Sequence, residues 1–236
     1  MEDQFLETGE ERLARTLGTL ERERATGLLR IGGDGAFHLD GGAVTHATSR
    51  HAPGPGDLHG ALTGPDPELP ALLAVFDAAF FLLGSQAEPV FTEGPAERGP
   101  VRPITAATLV HERRRRRSLL DSAWPCPDLD AAPVIPVRRV RRQRVILTGL
   151  QAEILLNADG RRTPADLAGD LGRTAFACLL AVRGLAAAAL VRTARPRDPA
   201  PPAAPGPPPP DGPPEEWAPA DHDLLARLRT ALVELG

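Results

Sequence analysis

The residues best placed to do chemistry in this chain are arginines. Arg113, Arg114, Arg115, Arg116 and Arg117 form an unbroken run, and Arg138, Arg139, Arg141, Arg142 and Arg144 form a second cluster; Arg161, Arg162 and Arg173 follow. A guanidinium is a planar fork of donors that fits phosphate in bidentate fashion. Such contact releases counterions and is therefore steeply salt-dependent. These arginines are the candidates for phosphate contact with nucleic acid. The plainer alternative is a solvated face, or docking on the chain's own acidic parts. Five consecutive arginines cover every face of a helix and repel one another at i+3 and i+4. The middle of such a helix is expected to be solvated or bound to anions.

Other reactive types are sparse. His38, His46, His51 and His59 fall within 22 residues, and on a strand pair His38 and His46 could approach each other. A zinc site wants three or four ligands with supporting hydrogen bonds. No Cys is near and His51 lies in a Pro/Gly loop, so no metal is expected and His46 reads as a polar residue closing a strand. Cys126 and Cys178 stand far apart, which excludes a disulfide scaffold and a CxxC zinc site. Cys178, in an apolar run, reads as a small core residue. No Walker loop, GxSxG or HExxH occurs. The expectation is a protein that is not an enzyme and takes no cofactor.

Composition and charge frame these residues. Of 236 residues 26 are Pro, which argues against a chain folded end to end, and Lys and Tyr are both absent, so all 27 basic residues are Arg. That usage, rich in Ala, Gly and Pro, looks like the product of a GC-rich genome. The formal net charge is only −4, but it hides three parts: residues 1–100 are strongly acidic, 101–197 strongly basic and 198–236 acidic again. Such asymmetry marks either a module that meets a polyanion or two parts of one molecule that attract each other. The start, Met1-Glu2-Asp3, lacks the order of a signal peptide. The longest apolar run, residues 69–84, contains Asp77 and is too short to span a bilayer. A cytoplasmic protein with no membrane partner is expected.

The elements that must position these groups begin with Leu13, Leu17 and Leu20, spaced i, i+4, i+7 as one stripe of an amphipathic helix over residues 10–23. Leu28, Leu29 and Ile31 form a short strand. Gly32-Gly33-Asp34-Gly35 is a strong hairpin turn, since Gly and Asp tolerate positive φ. A strand over 36–39, the turn Asp40-Gly41-Gly42 and a strand over 43–48 complete a three-strand meander. A short helix is expected over 57–63 and a longer one over 67–83; Phe80 and Phe81 could instead start a strand leading toward 87–91. The order Thr26-Gly27-Leu28-Leu29, then Phe37-His38-Leu39-Asp40-Gly41-Gly42-Ala43-Val44-Thr45-His46-Ala47, resembles the PatA-like N-terminal domain family. That family occurs in bacterial regulators, and the resemblance implies an interaction or regulatory role with no catalytic residues to transfer.

Residues 105–121 read as a helix carrying the arginine run. Prolines at 125, 127, 133 and 136 then lead to an extended segment with the second arginine cluster. Thr148 precedes a helix over Gly149–Asn157. Asn157-Ala158-Asp159-Gly160 is a stop signal with Gly suited to the left-handed cap. Thr163-Pro164 opens the next helix, with Asp166 completing a capping box. Gly172 ends it, a third helix runs from about Thr174 to Ala189, and Leu190-Val191-Arg192 reads as a strand. This succession resembles a winged-helix or helix-turn-helix domain, carried by Asp159 to Arg173. The third helix, however, offers only Arg173 and Thr174 at its start and Arg183 deep within. Reading of base edges, which needs polar donors there, is not expected.

Residues 198–220 hold 11 prolines in 23 positions and are expected to be a disordered linker of polyproline character. Leu224, Leu225, Leu228, Leu232 and Leu235 then stripe a short helix, read as a protein-docking element. The expected fold is α+β. Residues 1–98 form a helix-plus-antiparallel-meander domain, 99–137 an Arg-rich helical connector and 138–197 a mainly helical winged-helix-like domain. Residues 198–220 are the Pro-rich linker and 221–236 a C-terminal amphipathic helix. The function expected is a non-enzymatic regulatory protein, transcriptional or signalling, that binds another protein, with contact of its arginines to the backbone of duplex DNA left open. The alternative is an adaptor with no nucleic-acid contact.

Overall fold

Thr8 caps the first helix. Its hydroxyl accepts from the Glu11 N–H while the Glu11 carboxylate accepts from the Thr8 N–H, a capping box that starts α1, Gly9–Arg22. The computed structural model describes residues 8–58, 68–95, 101–137 and 145–193. These all belong to one compact unit of the chain, residues 1–196. The arginine cluster at 138–144, the proline-rich stretch and the C-terminal leucine stripe (Leu224, Leu225, Leu228, Leu232, Leu235) lie outside the described residues.

The meander forms as β1 (Gly27–Ile31), β2 (Gly35–Asp40) and β3 (Ala43–Ser49). A further strand, β4 (Pro89–Glu93), pairs antiparallel with β1, so the sheet order is β3-β2-β1-β4 among the described residues. Strand period places Leu29, Ile31, Phe37 and Leu39 on one face, where they are buried with Leu13, Leu17 and Leu20 of α1. The predicted leucine stripe is therefore the sheet's cover. At Gly42 the backbone has φ +87°, and a Cβ there would lie 2.7 Å from the Glu21 carbonyl oxygen. Both the conformation and the close passage of α1 demand glycine.

Phe80 and Phe81 lie in a helix. α2, Glu68–Leu82, buries Ala71, Ala74, Val75, Asp77, Ala78, Ala79, Phe80 and Leu82. It is apolar nearly all round because it is covered on several sides, which is why its periodicity did not decide the matter. The helix expected over 57–63 is replaced, in its described part, by a single 3-10 turn at Pro55–Asp57.

α3, Ala106–Ala123, carries the arginine run and packs against α1, α2 and a later helix, α7 (Ala175–Ala187). Phe80, Leu120 and Leu179 join α2, α3 and α7 in one buried cluster. The short α4 (Asp128–Ala131) and β5 (Val134–Pro136) follow, then α5 (Gly149–Asn157), α6 (Pro164–Leu171), α7 and β6 (Val191–Thr193). Both α5 and α6 begin with capping boxes, Thr148–Gln151 and Thr163–Asp166, and α6 ends at Gly172 with φ 60°. β5 and β6 pair antiparallel. The second core gathers Ile154, Leu167, Ala168, Cys178, Val182, Leu185 and Val191 around α7. The architecture is α+β, and among the described residues no helix is long and apolar enough to cross a membrane.

Gly42→Ala is expected to lower the unfolding free energy by more than about 1 kcal/mol, read by urea denaturation, since the new side chain meets backbone and not a yielding side chain.

Candidate functional site

The arginine run does not form a uniformly solvated face. An 18-residue helix wedged between α1, α2 and α7 must turn some of its residues inward. Positions 113 and 116, three apart, face the packed side together with Leu109 and Leu120, which are also buried. Of the two expectations for the middle of this helix, solvated or bound to anions, Arg113 and Arg116 take the second. The anions that receive them belong to the chain itself.

Arg113 donates through Nε to Glu10 Oε2 at 3.0 Å and through Nη1 to the Phe80 carbonyl at 2.8 Å. Burial pulls its guanidinium below the usual value, and Glu10 resists that pull. Arg116, with a side chain 5% exposed, donates to Asp77 Oδ1 at 2.6 Å and to Glu112 Oε1 at 2.8 Å. Its guanidinium lies over the Phe176 ring at 4.7 Å and the Phe76 ring at 5.8 Å, a cation–π contact strengthened by exclusion of water. Glu112 also receives Arg115 through two hydrogen bonds of 2.7 Å. The Arg115 bonds, with Arg116 adding to them against a burial cost, hold its carboxyl well down, at about 2.

Asp77 is the centre of this arrangement. Its side chain is 1% exposed, and beside Arg116 it accepts the backbone N–H of Ala175 at 2.5 Å and of Phe176 at 3.4 Å. Burial pushes its carboxyl above the ordinary value, while Arg116 and the two amides act the other way. The Ala177 N–H goes to the Thr174 hydroxyl and the Cys178 N–H to the Thr174 carbonyl. The first four amides of α7, the groups that make a helix start an anion site, are all satisfied from within the chain.

A third arginine, Arg183, is buried with carboxylates of its own. Arg183 of α7 forms a bidentate pair with Asp130 at 2.9 and 2.6 Å, and reaches Asp121 at 3.0 Å and the Trp124 carbonyl at 2.7 Å. It ties α7 to the end of α3 and to α4, and these partners raise its pKa.

The other candidates are placed differently. Arg114 and Arg117 have side chains 70% and 54% exposed, with carboxylates no nearer than 3.5 Å (Glu10) and 4.0 Å (Asp121). Arg115 is exposed but held by Glu112. Arg161 is exposed, Arg162 reaches Asp170 at 3.3 Å and Asp159 at 3.7 Å, and Arg173 pairs with Glu153 at 2.9 Å. Arg138, Arg139, Arg141, Arg142 and Arg144 lie outside the described residues. The structure therefore buries Arg113 and Arg116 on separate carboxylates and leaves Arg114, Arg117 and Arg161 on the surface.

His38 and His46 are cross-strand partners with ring centroids 5.2 Å apart. Among the described residues no group of three or more His, Cys, Asp or Glu is placed to hold a metal ion. Cys178 is buried, and its thiol is pushed up to about 12 by burial, with Asp77 adding to the effect.

Asp77 and Arg183 were not among the sequence candidates. The signal was available: Asp77 is the one charged residue inside the apolar run of α2, past Glu68 in its first turn, and Arg183 is the one charged residue of α7; such residues must find partners when buried. Who those partners are could not be read from spacing.

Compared with known proteins, the chain matches no family model, no curated protein and no solved structure.

Two outcomes follow. Asp77→Ala, which strands Arg116 and two helix amides, is expected to cost about 3–5 kcal/mol in urea unfolding. Glu112 is held at about 2 against an ordinary 4.5, so its contribution is present above the ordinary value and is lost as pH falls toward the folded one. The stability gap between the parent protein and Glu112→Gln is therefore expected to hold steady near neutral pH and to close across that acid window.

Proposed function

We propose that this chain is a non-enzymatic regulatory protein that works by binding other proteins, as an adaptor whose arginines chiefly hold its own parts together. The observation that carries this reading is the start of α7. In a helix-turn-helix protein that end meets DNA; here Asp77 and Thr174 take its amides, and Phe176 lies against Phe80 and Arg116. A glycine-turn meander beneath an amphipathic helix supports a PatA-like interaction module. The order α5, α6, left-handed Gly172, α7, β6 supports a winged-helix-like second module that serves as a protein scaffold. Exposed apolar side chains, Val90 on β4 and Ile146 and Leu156 beside or on α5, are available to partners.

A second reading, contact with the DNA backbone, is favoured by the exposure of Arg114 and Arg117 and by the further cluster at 138–144. Titration of generic duplex DNA with the full chain at low and moderate salt separates the two. The adaptor reading expects no binding that collapses with salt. Tight low-salt binding that is steeply salt-dependent, and weakened by Arg114→Ala with Arg117→Ala, would replace it with the second reading.

A further inference from the structure

A cleft of about 410 Å³ opens where the β1–β2 turn, the segment just after β3, the end of α2, α3, α4 and the start of α6 converge. This is within the ~300–1,000 Å³ range of small-molecule sites. Its apolar wall is aromatic: Phe80 and Phe81 meet edge to face at 5.4 Å, and the His51 ring lies 5.6 Å from Phe81.

The charges around it are unevenly paired. Asp34 is taken by Arg50 at 2.9 Å and by the Ser85 hydroxyl at 2.5 Å. Asp130 is taken by Arg183, and Arg113 by Glu10. Arg117 is left, since its 4.0 Å neighbour Asp121 already serves Arg183 at 3.0 Å. His51 accepts from Arg50 Nε through Nε2 at 3.0 Å, which leaves Nδ1 as a donor. The cleft thus joins aromatic faces to one guanidinium held only by a 4.0 Å ion pair and to a ring N–H.

We propose that this cleft binds a small aromatic anion, a planar ring carrying a phosphate or carboxylate, with the ring against Phe81 and His51 and the anion on Arg117. Its walls come from both the sheet module and the helical module, so an occupant favours one arrangement of the two. The site is then the input of the regulator. This deepens the regulatory reading, but its test reads binding directly, so either can fail while the other stands.

The full chain is titrated by calorimetry and thermal unfolding with adenosine monophosphate and with benzoate, and in parallel with adenosine and with inorganic phosphate. At least one aromatic anion is expected to bind and raise Tm, and which one does so separates phosphate from carboxylate. Adenosine and inorganic phosphate are expected to bind about tenfold more weakly or not at all. Arg117→Gln and His51→Ala are expected to weaken binding about tenfold without moving the ligand-free Tm. Arg114→Gln, on the exposed face outside the cleft, is expected to change nothing. The proposal is overturned if neither aromatic anion binds at millimolar concentration. It is equally overturned if phosphate or adenosine binds as well, if Arg117→Gln binds like the parent, or if Arg114→Gln weakens binding as much as Arg117→Gln does.

Discussion

One carboxylate with three donors organises this molecule. Asp77 enters the interior on α2 and meets the Arg116 guanidinium and the first two amides of α7. Removing a carboxylate and a guanidinium from water is costly, and their mutual attraction offsets that cost only when geometry is good and remaining donors and acceptors are filled. Here Glu112 takes the second side of Arg116, and the amides of α7 take the second oxygen of Asp77. Any displacement of α2, α3 or α7 relative to the others would leave an ion unpaired in the interior. The three helices are therefore held in one arrangement more strictly than the apolar cluster of Phe80, Leu120 and Leu179 alone would require.

The same interaction explains the charge pattern along the chain. An acidic first part and a basic second part attract, and Glu10, Asp77, Arg113 and Arg116 are where that attraction is spent inside the fold. The repulsion expected among five consecutive arginines is relieved in the same way. Two point inward to carboxylates, one is clasped by Glu112 on its own helix, and two project into solvent. A run of like charge in sequence has become alternating charge in space.

For function, this divides the arginines by role. Those in the interior position helices. Those on the surface, Arg114 and Arg117, border openings where an outside anion could meet them. The start of α7, the natural place for a phosphate, already holds a carboxylate of the chain, so its first amides are not open to an outside anion.

Much of the local structure was legible in the residues. The capping box at Thr163–Asp166, the glycine turns, the Leu13, Leu17 and Leu20 stripe and the meander are written by groups within a few positions of one another. Their hydrogen bonds and faces follow from spacing alone. The pairing of β4 with β1, the meeting of β5 with β6, the burial of Arg113 and Arg116 and the role of Asp77 were decided only by the tertiary structure. Asp77 finds Arg116 39 positions away and Ala175 98 positions away. Attraction between charges carries no address along a chain, so which arginine is buried depends on which helices are brought side by side. The sequence determined that a lone aspartate in an apolar helix needed partners; the folded path of the chain chose them.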